Sequence, residues 1–364
     1  MSKAAELAAL IGSQSALSNR NLVINGAMQV WQRGTTIDTI SNGGYLCDRW
    51  RLSHSGTDGN VDVDRSTDVP SGQGFAYSQK ISMDASETSL DAADQINVHQ
   101  RLEGQDLQQL AKGTSNAKKT VCSFWVRSSV ASTYTLELQD SDNNRSISKT
   151  YTIDAADTWE KKEVVFDGDT TGALNNDNGR SVDVRWWIDA GSNYTSGTLA
   201  TSWATVTTAN RVSATTGWLE STSPEFYITG VQWELGEQDT PFEHRSYGDE
   251  LAKCQRYYRK IGPSETSSSM PLISGGTYDT TQFQATYTCE DMRTQPTLET
   301  SGTAGDYQVY STGGKTVTAV PALDSNSEPA ALDIRVNITG ATAGQYAWLR
   351  TTNTTAYLAF DAEL

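Results

Sequence analysis

Histidine is nearly missing from this chain: His54, His99 and His244 are the three among 364 residues. They stand far apart and none lies in HExxH spacing, so nothing supports a zinc hydrolase. Cysteine is almost as scarce. Cys47, Cys122, Cys254 and Cys289 form no CxxC pair, which reads as scattered reduced thiols of a protein made in a cytosol, although an even count leaves two bridges open. There is no GxSxG elbow, no Walker loop and no GxGxxG after a strand, and no apolar run approaches the length of a bilayer span. The opening residues carry one Lys and a short apolar stretch broken by Glu6, which argues against a secretory leader. Cations are the last shortage. Against 44 Asp and Glu stand 28 Lys and Arg, a formal charge of -16. A surface of that sign repels phosphate backbones and anionic headgroups, which argues against nucleic acid and membrane insertion and fits a soluble, outward-displayed protein.

What the chain does have is apolar and aromatic mass, 37% hydrophobic residues with 10 Trp, enough for a core in about two domains. From residue 21 the pattern has period two, with strand candidates at Val121–Arg127, Tyr134–Gln139, Ser146–Ile153, Glu163–Phe166, Val182–Ile188 and Phe226–Leu235 between turn residues. Many short strands with almost no helix predict a mainly β protein: a large jelly-roll β-sandwich over 21–245. Ser246 with Asp249 three positions on is a capping-box signature, and Leu251, Cys254 and Tyr258 share a helical face, which predicts a short linking helix in 246–262. A smaller C-terminal β-sandwich domain is expected over 263–364, with strands near Thr281–Thr288, Tyr307–Tyr310, Ala331–Ile338 and Tyr346–Leu349. Residues 1–20 read as an attachment or trimerisation segment, since Ala4, Leu7, Leu10, Ile11 and Leu17 space like a short N-terminal helix.

Alternation along the sandwich strands nominates a ligand face. In Ser181-Val-Asp-Val-Arg-Trp-Trp-Ile-Asp it points Val182, Val184, Trp186 and Ile188 inward and leaves Trp187 outward with Asp183, Arg185 and Asp189. In Val121-Cys-Ser-Phe-Trp-Val-Arg, Cys122, Phe124 and Val126 go inward while Trp125 shares its face with Ser123 and Arg127. Tyr134, Leu136 and Leu138 go inward in a third strand, which presents Glu137 and Gln139. An indole stacks on the C–H face of a pyranose, and carboxylate, guanidinium and amide groups reach its hydroxyls. Trp125, Trp187, Arg185, Glu137, Gln139 and Arg127 are therefore the glycan-contact candidates. The alternative is that a second layer, a subunit or a loop covers this face and makes both Trp residues structural.

Other motifs read as scaffold. Asp140-Ser-Asp-Asn-Asn opens like a calcium loop, but Arg145 takes the place of the required Gly and no closing Glu follows, so a hairpin turn explains it better. Lys253-Cys-Gln-Arg-Tyr-Tyr-Arg-Lys reads as a cationic helix C-terminus rather than a nucleic-acid patch. No catalytic constellation, metal site or cofactor is expected.

Two blocks carry a resemblance. Asn19-Arg-Asn-Leu-Val-Ile-Asn-Gly-Ala-Met-Gln-Val-Trp-Gln-Arg-Gly with Tyr45-Leu-Cys-Asp-Arg-Trp resembles the opening of a family of bacteriophage tail-fibre and virion-associated β-sandwich proteins, carbohydrate-binding-module-like in fold. Phe226-Tyr-Ile-Thr-Gly-Val-Gln-Trp-Glu-Leu-Gly-Glu-Gln-Asp-Thr-Pro-Phe-Glu-His-Arg-Ser, running into Glu250-Leu-Ala-Lys-Cys-Gln-Arg-Tyr-Tyr, is similar to its most distinctive stretch, and Met292-Arg-Thr-Gln-Pro-Thr and Phe360-Asp-Ala-Glu-Leu match as well. The resemblance implies a non-enzymatic virion protein on the tail or capsid exterior, made in the host cytoplasm. It implies a homotrimer that meets other virion proteins through its N-terminal segment and host-surface polysaccharide through its jelly rolls. Read physically, the motif residues are scaffold: Val231, Trp233 and Leu235 alternate inward, Pro241 and Phe242 turn and anchor the exit, and the Cys-Gln-Arg-Tyr-Tyr helix joins the domains. A tail fibre or spike is the leading expectation; a decoration or cement protein without a receptor role is the alternative, and a glycan depolymerase a third.

Overall fold

Period-two alternation after residue 21 folds into two six-stranded antiparallel sheets that close on one core. The computed structural model describes residues 19–262 and 268–364, so the helix expected over residues 4–17 lies outside the described residues. In chain order the strands are β1 (Thr36–Ile37), β2 (Arg51–Ser55), β3 (Val61–Ser66), β4 (Ser78–Met83), β5 (Gln95–Glu103), β6 (Thr120–Ser128), β7 (Thr133–Asp140), β8 (Arg145–Thr152), β9 (Glu160–Phe166), β10 (Arg180–Ala190), β11 (Ala204–Thr205) and β12 (Glu225–Leu235). Sheet I has the order β1-β3-β4-β12-β6-β9 and sheet II the order β11-β8-β7-β10-β5-β2. The inward set is the one alternation names. Cys122, Phe124 and Val126 from β6 meet Tyr134, Leu136 and Leu138 from β7 and Val184, Trp186 and Ile188 from β10, all buried. Trp186 sits at the centre, its ring 5.5 Å from those of both Trp50 and Phe124. Side chains of this size contribute about 1.5–3 kcal/mol each when fully buried.

Parts of the sequence blocks at 19–50 and 226–246 meet in one knot. Asn21 Nδ2 donates to Val231 O at 2.9 Å and its Oδ1 accepts from Trp233 N at 3.1 Å, so the N-terminal stretch lies along β12. Four residues on, Asn25 Nδ2 donates to Val30 O and Asp48 O, both at 3.0 Å, while its Oδ1 accepts from Gln29 N and Val30 N. Trp50 Nε1 donates to Asn25 O at 3.0 Å, and Arg245 Nη1 to Val23 O at 3.2 Å. Gly26 fits because it has no side chain: a Cβ there would lie 2.1 Å from Val231 O. Val231 and Trp233 are buried, and Leu235 packs half-buried on the core, as expected of scaffold.

Ser246 begins helix α2 (Tyr247–Gln255), the four-residue α1 (Ser192–Thr195) being the earlier one. Ser246 caps α2: Asp249 N donates to Ser246 Oγ at 3.2 Å, while the Ser246 hydroxyl, rather than its backbone N–H, donates to Asp249 Oδ2 at 2.7 Å. The helix is shorter than expected. It stops at Gln255, and Tyr258 belongs instead to strand β13 (Tyr258–Ile261), paired with Asp361; pairing with a distant strand overrides the three-and-four spacing that put Tyr258 on a helical face. The chain divides inside α2, one compact unit ending at Glu250 and the other spanning Leu251–Glu363.

The second unit adds β14 (Pro271–Thr277), β15 (Gln282–Thr288), β16 (Thr297–Thr300), β17 (Tyr307–Tyr310), β18 (Gly314–Val317), β19 (Ala322–Leu323), β20 (Ala331–Thr339), β21 (Tyr346–Thr351) and β22 (Leu358–Asp361). β13, β22 and β16 form a three-stranded sheet, and the rest a seven-stranded sheet in the order β15-β14-β21-β17-β18-β20-β19. That sheet curls on itself, because β15 pairs with both β14 and β20. Phe283, Val309, Leu332, Ile334 and Leu349 fill it. No disulfide joins the four cysteines, all among the described residues, and Cys47, Cys122 and Cys254 are buried; burial pushes the Cys47 and Cys122 thiols well up, so they stay protonated.

Candidate functional site

The six candidate contact residues separate into two groups on opposite sheets. Glu137, Gln139, Arg185 and Trp187 come together on the outward face of sheet II, where β10 pairs with β7 (Arg185 opposite Glu137, Trp187 opposite Thr135). Trp125 and Arg127 lie on β6 in sheet I. One sugar cannot span both groups, since the core lies between them.

The sheet II group is closed. Arg211 reaches Glu137 with two bonds, Nε to Oε1 at 2.8 Å and Nη2 to Oε2 at 2.7 Å, and donates to Gln139 Oε1 at 2.9 Å. Trp187 Nε1 donates to Glu137 Oε2 at 3.0 Å, and Asp183 accepts from both Arg180 and Arg185. The Trp187 ring is enclosed by the guanidinium groups of Arg211 and Arg185, 4.9 and 5.5 Å from its centroid, and by Tyr194 at 5.3 Å. Trp187 keeps 1% of its exposure. The expectation that it faces water is therefore corrected. Residues 191–216 fold back over β10 and β7, held by Asp189, whose carboxylate accepts from Thr216 N and Leu219 N, and by Ser148, whose Oγ donates to Arg211 O. The carboxylate of Glu137 and the indole N–H of Trp187 are thus engaged inside the protein, and Glu137, Arg185 and Trp187 are all buried.

The same face buries His99, whose Nδ1 lies 3.0 Å from Asn97 Oδ1. Burial, reinforced by Arg185, Arg101 and Arg51, pulls its pKa well below the ordinary 6.5. The folded protein holds it neutral while the unfolded chain takes up a proton, so this group's stabilisation is full above about pH 6.5 and is lost as pH falls below it. Denaturant titrations should show the acid-side loss of stability between pH 6.5 and 5 flattened in His99→Gln; an unchanged slope would refute this assignment.

The sheet I face is different. Trp125 lies opposite Thr229 of β12 and Lys161 of β9, and it is half-exposed. β12 bulges between Thr229 and Gln232, where Gly230 adopts φ 61°; a Cβ there would lie 2.5 Å from Phe75 Cζ and 3.1 Å from Trp125 Cδ1. The bare backbone is thus a seat for two rings. Phe75 continues into a cluster with Phe242 (5.0 Å, edge-on) and the exposed His244 (5.5 Å), which are themselves 4.9 Å apart. On the other side, Arg127 lies 4.8 Å over Tyr227, and Trp159 packs edge-on against that ring at 6.1 Å. Arg127 pairs with Asp68 and Asp157, and Trp159 Nε1 donates to Asp68 Oδ1 at 2.8 Å. Burial, then the bond to Glu225, keeps Tyr227 protonated far above neutral pH. The result is an aromatic strip across an outward sheet face, with half-exposed indoles at Trp125 and Trp159 and carboxylate and guanidinium groups at its edge.

No protein-family model matches the sequence, and no curated protein matches it. Solved structures do. Carbohydrate-binding modules and a phage tailspike domain are among its structural neighbours. The enzymatically active domain of tailspike protein 4 of Bacteriophage CBA120 matches with TM-score 0.32 and 17% identity over 60% of this chain, which spans 22% of that one. The family 11 carbohydrate-binding module of Clostridium thermocellum, in complex with a β-1,3-1,4-mixed-linked tetrasaccharide, gives 0.30 and 12% over 57% of this chain and 97% of that one. TmCBM61 in complex with β-1,4-galactotriose gives 0.28 and 14% over 60% and 100%.

Sequence reasoning missed Phe75, Trp159, Phe242 and His244 as members of the strip. Phe75, in a Gly-rich loop, and Phe242, read as an exit anchor, meet only because two loops cross β12; the one local signal is Gly230 interrupting an alternating strand. No three His, Cys, Asp or Glu among the described residues are grouped to hold a metal ion. The Asp140 loop is the β7–β8 hairpin, and a lysine supplies its cation. Lys112 Nζ bonds Asp140, lies 3.1 Å from Asp169 Oδ2 and donates to Thr171 O and Gly172 O.

Proposed function

We propose that this protein is a glycan-binding protein displayed on a virion, a tail fibre or spike without enzymatic activity, and that it contacts sugar through the outward face of sheet I around Trp125. The observation that carries this reading is the aromatic strip: half-exposed indoles on and beside an outward sheet face, flanked by hydrogen-bonding groups, match the amphipathic surface of a pyranose. The resemblance of residues 19–50 and 226–258 to phage virion proteins supplies the setting, and three equivalent faces in a homotrimer would convert weak contacts into avidity. The test is an array of bacterial surface polysaccharides probed with the full chain, together with immunogold labelling of intact particles. Retention on a polysaccharide without release of reducing ends, and label on the particle exterior, are expected. Release of reducing ends would make the protein a depolymerase, and retention on no glycan with label on the particle would leave the cement role.

A further inference from the structure

The outward face of the C-terminal unit's curled sheet is polar almost everywhere. Positions facing away from its core include Ser274, Gln284, Thr286, Asp333, Asn337 and Thr316. The exception is a patch on β21 and β17. Tyr346, Trp348 and Arg350 alternate outward on β21, and register puts Tyr310 opposite Trp348 and Gln308 opposite Arg350. The rings form a continuous row: Tyr310 to Trp348 is 5.1 Å between centroids and Trp348 to Tyr346 is 6.1 Å. Tyr346 is 67% exposed, and Trp348 and Tyr310 are half-exposed.

The row has polar borders. Arg350 lies 4.6 Å over the Tyr310 ring and donates from Nε to Gln308 Oε1 at 3.0 Å. No carboxylate among the described residues pairs with it, although the chain carries a charge of -16. Gly314 makes room for Gln308, since a Cβ there would lie 2.4 Å from its Nε2. Ser274, opposite Trp348 on β14, is exposed.

We infer that Tyr310, Trp348 and Tyr346 form a second carbohydrate-binding platform, whose ligand is a saccharide bearing a carboxylate: pyranose faces stack on the rings, and the carboxylate meets Arg350. The inference takes its ligand class from the glycan-binding reading above and stands on a separate unit of the chain. A second copy of the protein is the poorer occupant. Three partly exposed rings offer on the order of 300 Å² of apolar contact, short of the about 800 Å² per partner of a stable protein interface, and a patch with an unneutralised guanidinium matches an anionic ligand.

The experiment probes an array of acidic and neutral oligosaccharides with the full chain as wild type, Trp348→Ala, Arg350→Gln and Trp125→Ala, each checked for fold by circular dichroism and for mass by light scattering. Wild type should be retained on uronate- or sialate-bearing spots. Retention there should fall at least tenfold in Trp348→Ala and Arg350→Gln and persist in Trp125→Ala. No retention on acidic spots, or equal retention by Trp348→Ala, overturns the platform. Loss confined to Trp125→Ala overturns it while sustaining the sheet I site, and absence of all glycan binding overturns both. A change of oligomeric mass in Trp348→Ala assigns the patch to self-association and overturns it too. Should Trp348→Ala misfold, the exposed Tyr346→Ala carries the same test.

Discussion

Gly26→Ala destabilises the sandwich by about 3 kcal/mol or more, and urea or thermal unfolding of the folded fraction measures it. The new methyl would sit 2.1 Å from Val231 O, a backbone atom that cannot swing aside. Val231 N donates to Gly26 O at 2.9 Å, and Asn21 bonds Val231 O, so relief of the clash means breaking the contacts that fix the N-terminal stretch on β12. Asn25, the next residue back, holds four backbone groups with one amide, and the same displacement pulls on them. A loss below about 1 kcal/mol would mean that the knot is looser than its geometry.

Lys112→Met removes the internal cation of the β7–β8 end of the sandwich. Its ammonium is buried between Asp140 and Asp169, and two carbonyls complete its shell. Asp169 keeps Arg145, with bonds of 2.7 and 3.1 Å, but among the described residues Asp140 keeps only Asn143 as a side-chain hydrogen-bond partner. Burial raises the Asp169 pKa, yet the bonds from Arg145, Thr171 and Lys112 outweigh it and hold the group below its usual value. Breaking a buried pair by deleting one partner costs about 3–5 kcal/mol, because it strands a desolvated charge. The deficit should shrink on acidification from about pH 5 to about pH 2. Lys112 is one of the groups that hold Asp169 below its usual value, so without it the folded variant loses less stability than wild type as that carboxylate takes up a proton. A constant difference between wild type and variant across that range would contradict the assignment.

Much of the sandwich was legible in the sequence because alternation reports which side of a strand is apolar. Cys122, Phe124, Val126, Trp186 and Val231 are inward for that reason. Alternation says nothing of what covers the other side. Trp187 reads as outward and is outward, but residues 191–216 return over it, a long-range event that no local period encodes. Nor does it say which sheet a strand joins, so Trp125 and Trp187, alike in pattern, stand on opposite faces of the protein. The end of α2 failed for a related reason: the spacing of Leu251, Cys254 and Tyr258 suits a helix, and pairing of β13 with β22 decides otherwise. The Phe75, Phe242 and His244 cluster is assembled by loops, where period carries no information.

The proposed function centres on the half-exposed ring of Trp125. Affinity electrophoresis of the full chain through gels containing a retained neutral polysaccharide tests it directly, with wild type, Trp125→Ala and the buried Trp187→Phe compared after near-ultraviolet circular dichroism confirms their folds. Loss of the Trp125 stacking surface should weaken binding at least tenfold per site, about 1.4 kcal/mol, while Trp187→Phe, if folded, migrates like wild type. Equal retardation of folded Trp125→Ala and wild type would contradict the account.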